Sequence, residues 1–443
     1  MKLKKSEIID RFSAMIRFKT VSHPDRRGTD RDVFIAFRNW LKEAYPDLFS
    51  YGEALAVGDY GLLIRIPGKS GNEPAVLMAH YDVVGADPEG WSADPFGAER
   101  RDGRIYGRGT LDTKCTLCSI LEAVSYHIRN GFVPEHDIWL SFGGEEEVCG
   151  ETCSAIVSFL GEKGVRPSFV LDEGGAVIPE GVPGYRHQVA MIGAAEKGEV
   201  NFLLTCREGN GGHASVPPKT TVIGRLAKAA VAIEKHPFPG RLSTPVKAMF
   251  RHLSGEVPFY EKPVFMFPEI LEKPLVSAAS ILGGSFNAMV RSTAAVTVIS
   301  STGGAFNVLP GEAAMGVNVR LLEGDTVASA EKRLRRLIRD PSIRIEVMTG
   351  DDPSPTADTD CGAYRKLTEV IRRVWPGTPS VPYQMNGGTD ARFYRVLTDR
   401  IYRFTPMIMT EAERRTVHGA DESISEENLL TMIRFYIELT AVL

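Results

Sequence analysis

Short stretches of this 443-residue chain bring acids and histidines together in patterns suited to catalysis or metal binding. His80 and Asp82 stand in AHYDVVG, directly after the apolar run AVLMA. A carboxylate at that spacing can fix the tautomer of a metal-binding imidazole, although the pattern equally describes a core or surface histidine with an acidic neighbour. Asp112, in GRGTLDTK, lies between a glycine-rich turn and a helical stretch. Its two oxygens suit a bridge between cations ~3.5–4 Å apart, or simply a helix N-cap. Glu145, Glu146 and Glu147 follow DIWLSF within GGEEEVCG. Adjacent carboxylates repel unless cations or water compensate them. That turn is therefore either a solvated acidic loop or a place where one Glu ligates and its neighbour stays free as a base. LDEGG adds Asp172 and Glu173, and TVHGADE adds His418. Two more stretches carry His213 (GNGGHASVPP) and Asn307 and Arg320 (FNVLPGEAAMGVNVR), donors that suit an oxyanion or a substrate carboxylate. Their plain alternatives are a turn histidine and a surface arginine.

The elements that must position these groups follow from hydrophobic pattern. AVLMA (75–79), DIWLSF (137–142) and SFVLD (168–172) are near-continuous apolar runs, as expected of parallel strands buried on both faces, and TKCTLCSILEAVSYHIRNG (113–131) reads as a crossover helix ending at Gly131. In open α/β sheets, ligands gather beyond the carboxyl ends of strands, which is where most of the acids and histidines fall. Ile8, Ile9, Phe12 and Ile16 recur at helical spacing and predict an amphipathic first helix. From about 190 to 350 the pattern changes. The strand EVNFLLTC and the helix TTVIGRLAKAAVAIEKH come first, then a Pro-rich irregular insertion from Pro237 to Pro274, then the strands VRSTAAVTVIS and AAMGVNVRLL. We read residues 191–350 as an α+β domain inserted between two parts of a catalytic domain, 1–190 and 351–443, with DDPSPTADTD (351–360) as a linker and a helix over 362–375.

Composition sets the outer bounds. With 43% hydrophobic and 24% charged residues the chain has the make-up of an ordinary globular protein, which excludes disordered and fibrous classes. A net charge of −4 and the lack of any long Lys/Arg run argue against nucleic acid as a partner. The apolar windows fall short of the ~18 residues of a membrane span, and the basic start of the chain is interrupted by Glu7, Asp10 and Arg11, unlike an export signal. A cytoplasmic protein with reduced cysteines is expected. Cys115-x-x-Cys118 and Cys149-x-x-x-Cys153 are poor candidates for a four-thiolate zinc site, because the first pair falls inside the expected helix. Neither G-x-S-x-G nor H-E-x-x-H occurs.

Taken in order, AHYDVV, GRGTLDTK, GGEEEVCG, LDEGG, GGHASVPP, NVLPGEAAMGVNVR, NGGTDAR and TVHGADE resemble the M20 family of metallopeptidases, the group of carboxypeptidase S, aminoacylase-1 and succinyl-diaminopimelate desuccinylase. The stretch from about 240 to 325 most resembles the carboxypeptidase S branch, with its enlarged lid. The resemblance implies an α/β fold of the zinc-exopeptidase type, a mixed sheet flanked by helices with an inserted α+β lid/dimerisation domain. It implies two zinc ions, replaceable by Co or Mn: His80 and Glu173 on one, Glu147 and His418 on the other, and Asp112 bridging. Glu146 matches the general base, Asp82 the residue that orients His80, and His213 the lid histidine that meets the oxyanion. Asn307 and Arg320 match positions associated with the substrate carboxylate, and Gly387, Gly388, Thr389 and Asp390 a loop beside the site. The spacing to Gly150 selects Glu146 and Glu147 over Glu145. Cys115 stands where the family commonly has a small residue, often glycine. The implied activity is hydrolysis of an amide bond next to a free carboxylate, in a dipeptide, short peptide or N-acyl amino acid. A homodimer through the inserted domain is implied as well. A deacylase of a biosynthetic N-acyl amino acid, or a non-catalytic peptide- or metal-binding homologue, is the alternative.

Overall fold

The computed structural model describes residues 4–182, 184–209 and 211–443. Its first helix, Lys5–Arg17, buries Ile8, Ile9, Phe12, Met15 and Ile16 on one stripe. Each such burial contributes ~1.5–3 kcal/mol, more than any single residue's helix propensity, so packing rather than propensity holds the helix.

The chain divides into two compact units. One comprises the chain up to Ala194 together with Ala357–Pro382 and Thr389–Leu443. At its heart, the strands run in the spatial order Glu53–Val57, Gly61–Ile66, His136–Gly143, Ser70–His80, Phe169–Ile178 and Ile401–Ile408. Val189–Glu196 and Ser380–Met385 complete the sheet. Ser70–His80 lies parallel to both neighbours, and Ile401–Ile408 parallel to Phe169–Ile178, whereas Glu53–Val57 and Gly61–Ile66 pair antiparallel, so the sheet is mixed.

Alternation along Ser70–His80 explains its unbroken apolar run. Ala75, Leu77 and Ala79 enter a core shared with the helices Lys114–Arg129, Gly362–Val374 and Glu426–Thr440, while Val76 and Met78 enter a second core with Ile156, Leu160 and Tyr394. Both faces are covered, as parallel strands require. Phe169–Ile178 outruns the segment expected at 168–172: the ladder with Ile401–Ile408 shifts register between Asp172 and Gly175, and the strand continues to Ile178. Such an irregularity re-aims side chains, which a pattern of apolar residues does not disclose.

The other unit, Ala195–Thr356 with Tyr383–Gly388, holds an antiparallel sheet in the order Thr293–Ser301, Glu312–Leu321, Gly198–Arg207, Ile343–Asp351. Buried and half-buried residues alternate without a break along Glu312–Leu321. Its buried residues pack with Leu226, Ala229 and Ile233 of helix Val222–Lys235 and Ala330 and Leu334 of helix Val327–Ile338. The Pro-rich stretch Pro237–Pro274 is only partly irregular: helices Thr244–Leu253 and Lys262–Met266 lie within it, Glu272–Leu282 begins at its end and Gly284–Met289 follows. Pro245 and Pro263 sit in first turns, where an absent N–H costs no intrahelical bond. Among the described residues no helix is long and apolar enough to cross a membrane.

Candidate metal centre

His80 is the last residue of the central parallel strand, and Glu145, Glu146 and Glu147 form the turn after the adjacent strand His136–Gly143. Glu173 lies at the register shift of the strand on the other side. Asp112 precedes helix Lys114–Arg129 across a cis peptide bond to Thr113. The N-cap position belongs to Thr113, so Asp112 is not a cap, and its carboxylate turns to the histidines instead.

The geometry makes two triads with a shared member. His80 Nε2 lies 2.9 Å from Asp112 Oδ1 and 3.0 Å from Glu173 Oε1. His418 Nε2 lies 3.0 Å from Asp112 Oδ2 and 3.0 Å from Glu147 Oε2. One oxygen of Asp112 thus serves each triad, and within a triad the three candidate ligand atoms all lie within 4.8 Å of one another. Two imidazoles and three carboxylates are the nitrogen and oxygen donors that zinc and other divalent ions take. His80 is buried and His418 half-exposed.

Charge argues the same way. Burial alone would keep His80 neutral, yet the carboxylates of Glu173, Asp112 and Asp82 push its pKa well above the usual value. Hydrogen bonds to Asp112 and Glu147 push His418 up to about 10. Burial, then the charge of Asp112, raises Glu173 to about 8, and burial, then Asp172 and Asp82, raises Asp390 to about 7. So many acids in one buried place are stable only with compensating cations or protons. The donor set fits two divalent cations.

The remaining residues divide by place. Asp82, fully buried, accepts the backbone N–H groups of Glu146 and Glu147 at 3.1 Å each and the Ser22 hydroxyl at 2.7 Å. His80 Nδ1 lies 3.0 Å from the Asp82 carbonyl oxygen and 3.4 Å from its carboxylate. Glu146 belongs to neither triad; it lines a small cavity with His80, Asp172 and Asp390. Burial, then the carboxylates of Glu173, Asp390 and Asp112 against the pull of His80, holds its pKa well above the ordinary range. Glu145 is tied to Arg26 at 3.0 Å and to Thr152, which takes it out of the centre. Cys115 is buried in its helix, its thiol donating to the Leu111 carbonyl, and the candidate ligand groups among the described residues contain no cysteine. Thr389 caps the 3-10 helix Asp390–Val396 through the N–H of Ala391, which also donates to Asp172.

His213, Asn307, Arg320, Gly387 and Gly388 belong to the other unit. There the Ala214 N–H donates to the Asn307 carbonyl at 2.9 Å and His213 pairs with Val308, so His213 and Asn307 are neighbours. Arg320 stands apart from them on Glu312–Leu321, paired with Glu199 at 2.9 Å. Sequence reasoning missed Ser22 and the buried Glu422, which lie among ordinary polar residues with no spacing signal to mark them.

Residues 76–441 match peptidase family M20/M25/M40. The chain is 34% identical to the N-fatty-acyl-amino acid synthase/hydrolase PM20D1 of Xenopus tropicalis over 98% of its own length and 85% of the relative's. Among solved structures it is similar to the M20 family metallo-carboxypeptidase Sso-CP2 of Sulfolobus solfataricus, with a TM-score of 0.70 and 18% identity over 100% of this chain and 99% of that one. The Bacillus subtilis YXEP protein, a dinuclear metal binding peptidase from the M20 family, aligns with a TM-score of 0.58 and 14% identity over 99% and 98%.

Proposed function

The chain belongs to peptidase family M20/M25/M40 and is a hydrolase of that family, and from this premise we propose that it cleaves the amide bond of an N-acyl amino acid through a two-cation centre. The observation that carries the reading is Asp112, whose two oxygens each face a different histidine–glutamate pair. His80 and Glu173 would hold one cation, His418 and Glu147 the other, zinc being the first choice for this donor set. Two such ions supply Lewis-acid polarisation of the scissile carbonyl and a more acidic attacking water.

The chain's own groups do the rest. Glu146, free of both triads, takes the proton of the attacking water and returns it to the leaving nitrogen. Asp82 keeps the Glu146–Glu147 turn and the His80 ring in register. By family resemblance His213 donates to the oxyanion, and Asn307 and Arg320 receive the substrate carboxylate. Arg320 would have to exchange its Glu199 partner for that carboxylate.

Two observations favour an acyl over a peptidyl substituent on the amino acid. The Xenopus tropicalis relative is by name a hydrolase of N-fatty-acyl amino acids. The turns on either side of helix Lys262–Met266 in the second unit also expose Phe259, Tyr260, Phe267 and Ile270, an apolar surface that a dipeptide does not need. We also assign dimerisation to this unit, where the sheet ends on the edge strand Thr293–Ser301 with Val298 and Ile299 exposed. The test of the function is a substrate panel on zinc-loaded protein: N-acyl amino acids of increasing chain length, dipeptides, and the same compounds with an amidated carboxylate. Turnover should favour long acyl chains and vanish on amidation; indifference to the free carboxylate contradicts the reading.

A further inference from the structure

Glu422 lies four residues after His418 and is fully buried, yet it reaches neither triad. Its carboxylate is consumed by the loop that carries Asp112. Oε1 accepts the N–H groups of Leu111 at 2.7 Å and Asp112 at 3.2 Å; Oε2 accepts the N–H of Gly109 at 3.1 Å and Nη1 of Arg108 at 2.7 Å. Arg108 closes the circuit, its Nη2 donating to the carbonyl of Gly419, the residue after His418. The Gly107 N–H donates to the Glu422 carbonyl, and Ser423–Ser425 then pairs with Arg104–Tyr106. Four donors on one carboxylate leave it little capacity for a cation, and charge-assisted bonds of this kind are short and directional.

We propose that Glu422 is a positioning residue that sets the distance between Asp112 and His418, and thereby the affinity of the cation position formed by Asp112, Glu147 and His418. The inference rests on the two-cation reading above. The other position, with His80 and Glu173 on strands of the central sheet, draws only Asp112 from the loop that Glu422 holds. Loss of the Glu422 carboxylate therefore weakens one position far more than the other, a difference that a general loss of stability does not produce.

The experiment is zinc titration of the full-length protein after chelator treatment, followed calorimetrically, for wild type, Glu422→Gln and Arg108→Gln. Glu422→Gln keeps the volume but turns one oxygen into a donor facing N–H groups. One zinc should bind with near-native affinity and the second ~10–100-fold more weakly, the usual effect of removing a group that orients a metal ligand. Arg108→Gln keeps the three backbone bonds to Glu422 and removes the Arg108 ion pair with it together with the link to Gly419, so it serves if Glu422→Gln does not fold; it should weaken the same position in the same direction. Two unchanged affinities in a folded variant, or equal weakening of both, overturn the proposal. Wild-type protein that binds fewer than two zinc ions would instead refute the two-cation reading itself.

Discussion

The carboxylate of Asp82 accepts the backbone N–H of Glu146 at 3.1 Å. That bond fixes the proposed base through its backbone and leaves its carboxyl free to exchange protons. Since Asp82 also holds the Glu147 N–H and meets His80, one buried acid ties together a base and a ligand of each triad. Asp82→Asn should lower kcat and zinc affinity together, by ~10–100-fold in affinity. Ser22→Ala, which removes a single bond to Asp82, should cost much less. Calorimetry alongside steady-state kinetics checks both, and an Asp82→Asn protein with native affinity contradicts this role.

Glu145 and Glu146 should part company under mutation. Glu146→Gln should keep two zinc ions and lose ~10²–10⁴-fold in kcat, as removal of a general base does. Glu145→Gln should retain turnover within a few-fold and lose ~1 kcal/mol of stability, because it weakens the buried bond from Thr152 and the half-exposed ion pair with Arg26. Metal analysis, kinetics and urea unfolding on the two variants decide it; the reverse pattern would move the base to Glu145.

Lys197 gives a pH dependence independent of any metal. Burial, then the positive charge of Arg320, against the pull of Asp325, lowers its pKa from 10.5 to about 8. Between those values the unfolded chain binds the extra proton, so stability rises with pH from about 8 to 10.5, and below about 8 the full penalty applies. At roughly 1.4 kcal/mol per pH unit the ceiling is about 3 kcal/mol. Between pH about 8 and 10.5 the unfolding free energy of wild type should rise relative to that of Lys197→Met. A constant difference contradicts the depressed pKa.

The edge strand predicts the oligomer. Sedimentation should give twice the chain mass for wild type and the single chain mass for Val298→Lys with Ile299→Lys, since charge on an unpaired edge blocks strand addition. A wild-type monomer refutes the dimer.

Much of this was legible in the sequence, for identifiable reasons. The runs around 75–79 and 137–142 read as buried parallel strands because both faces of Ser70–His80 are covered, and their ends marked His80 and the Glu145–Glu147 turn. The choice between N-cap and bridge at Asp112 was not legible, because it depends on His80 and His418 arriving from opposite ends of the chain. The helices between Thr244 and Met289 were hidden by prolines, which read as breakers until their first-turn positions are known. Glu422 was invisible because three of its four partners are backbone N–H groups, which leave no trace in side-chain pattern, and the fourth, Arg108, lies more than 300 residues away in sequence.

The central claim is that Asp112 bridges two cations. Anomalous diffraction at the zinc edge, on crystals grown with zinc, tests it most directly. The account predicts two peaks, each ~2.0–2.2 Å from one oxygen of Asp112, with His80 and Glu173 on the first and Glu147 and His418 on the second. A single peak, or peaks whose neighbours do not include Asp112, would contradict it.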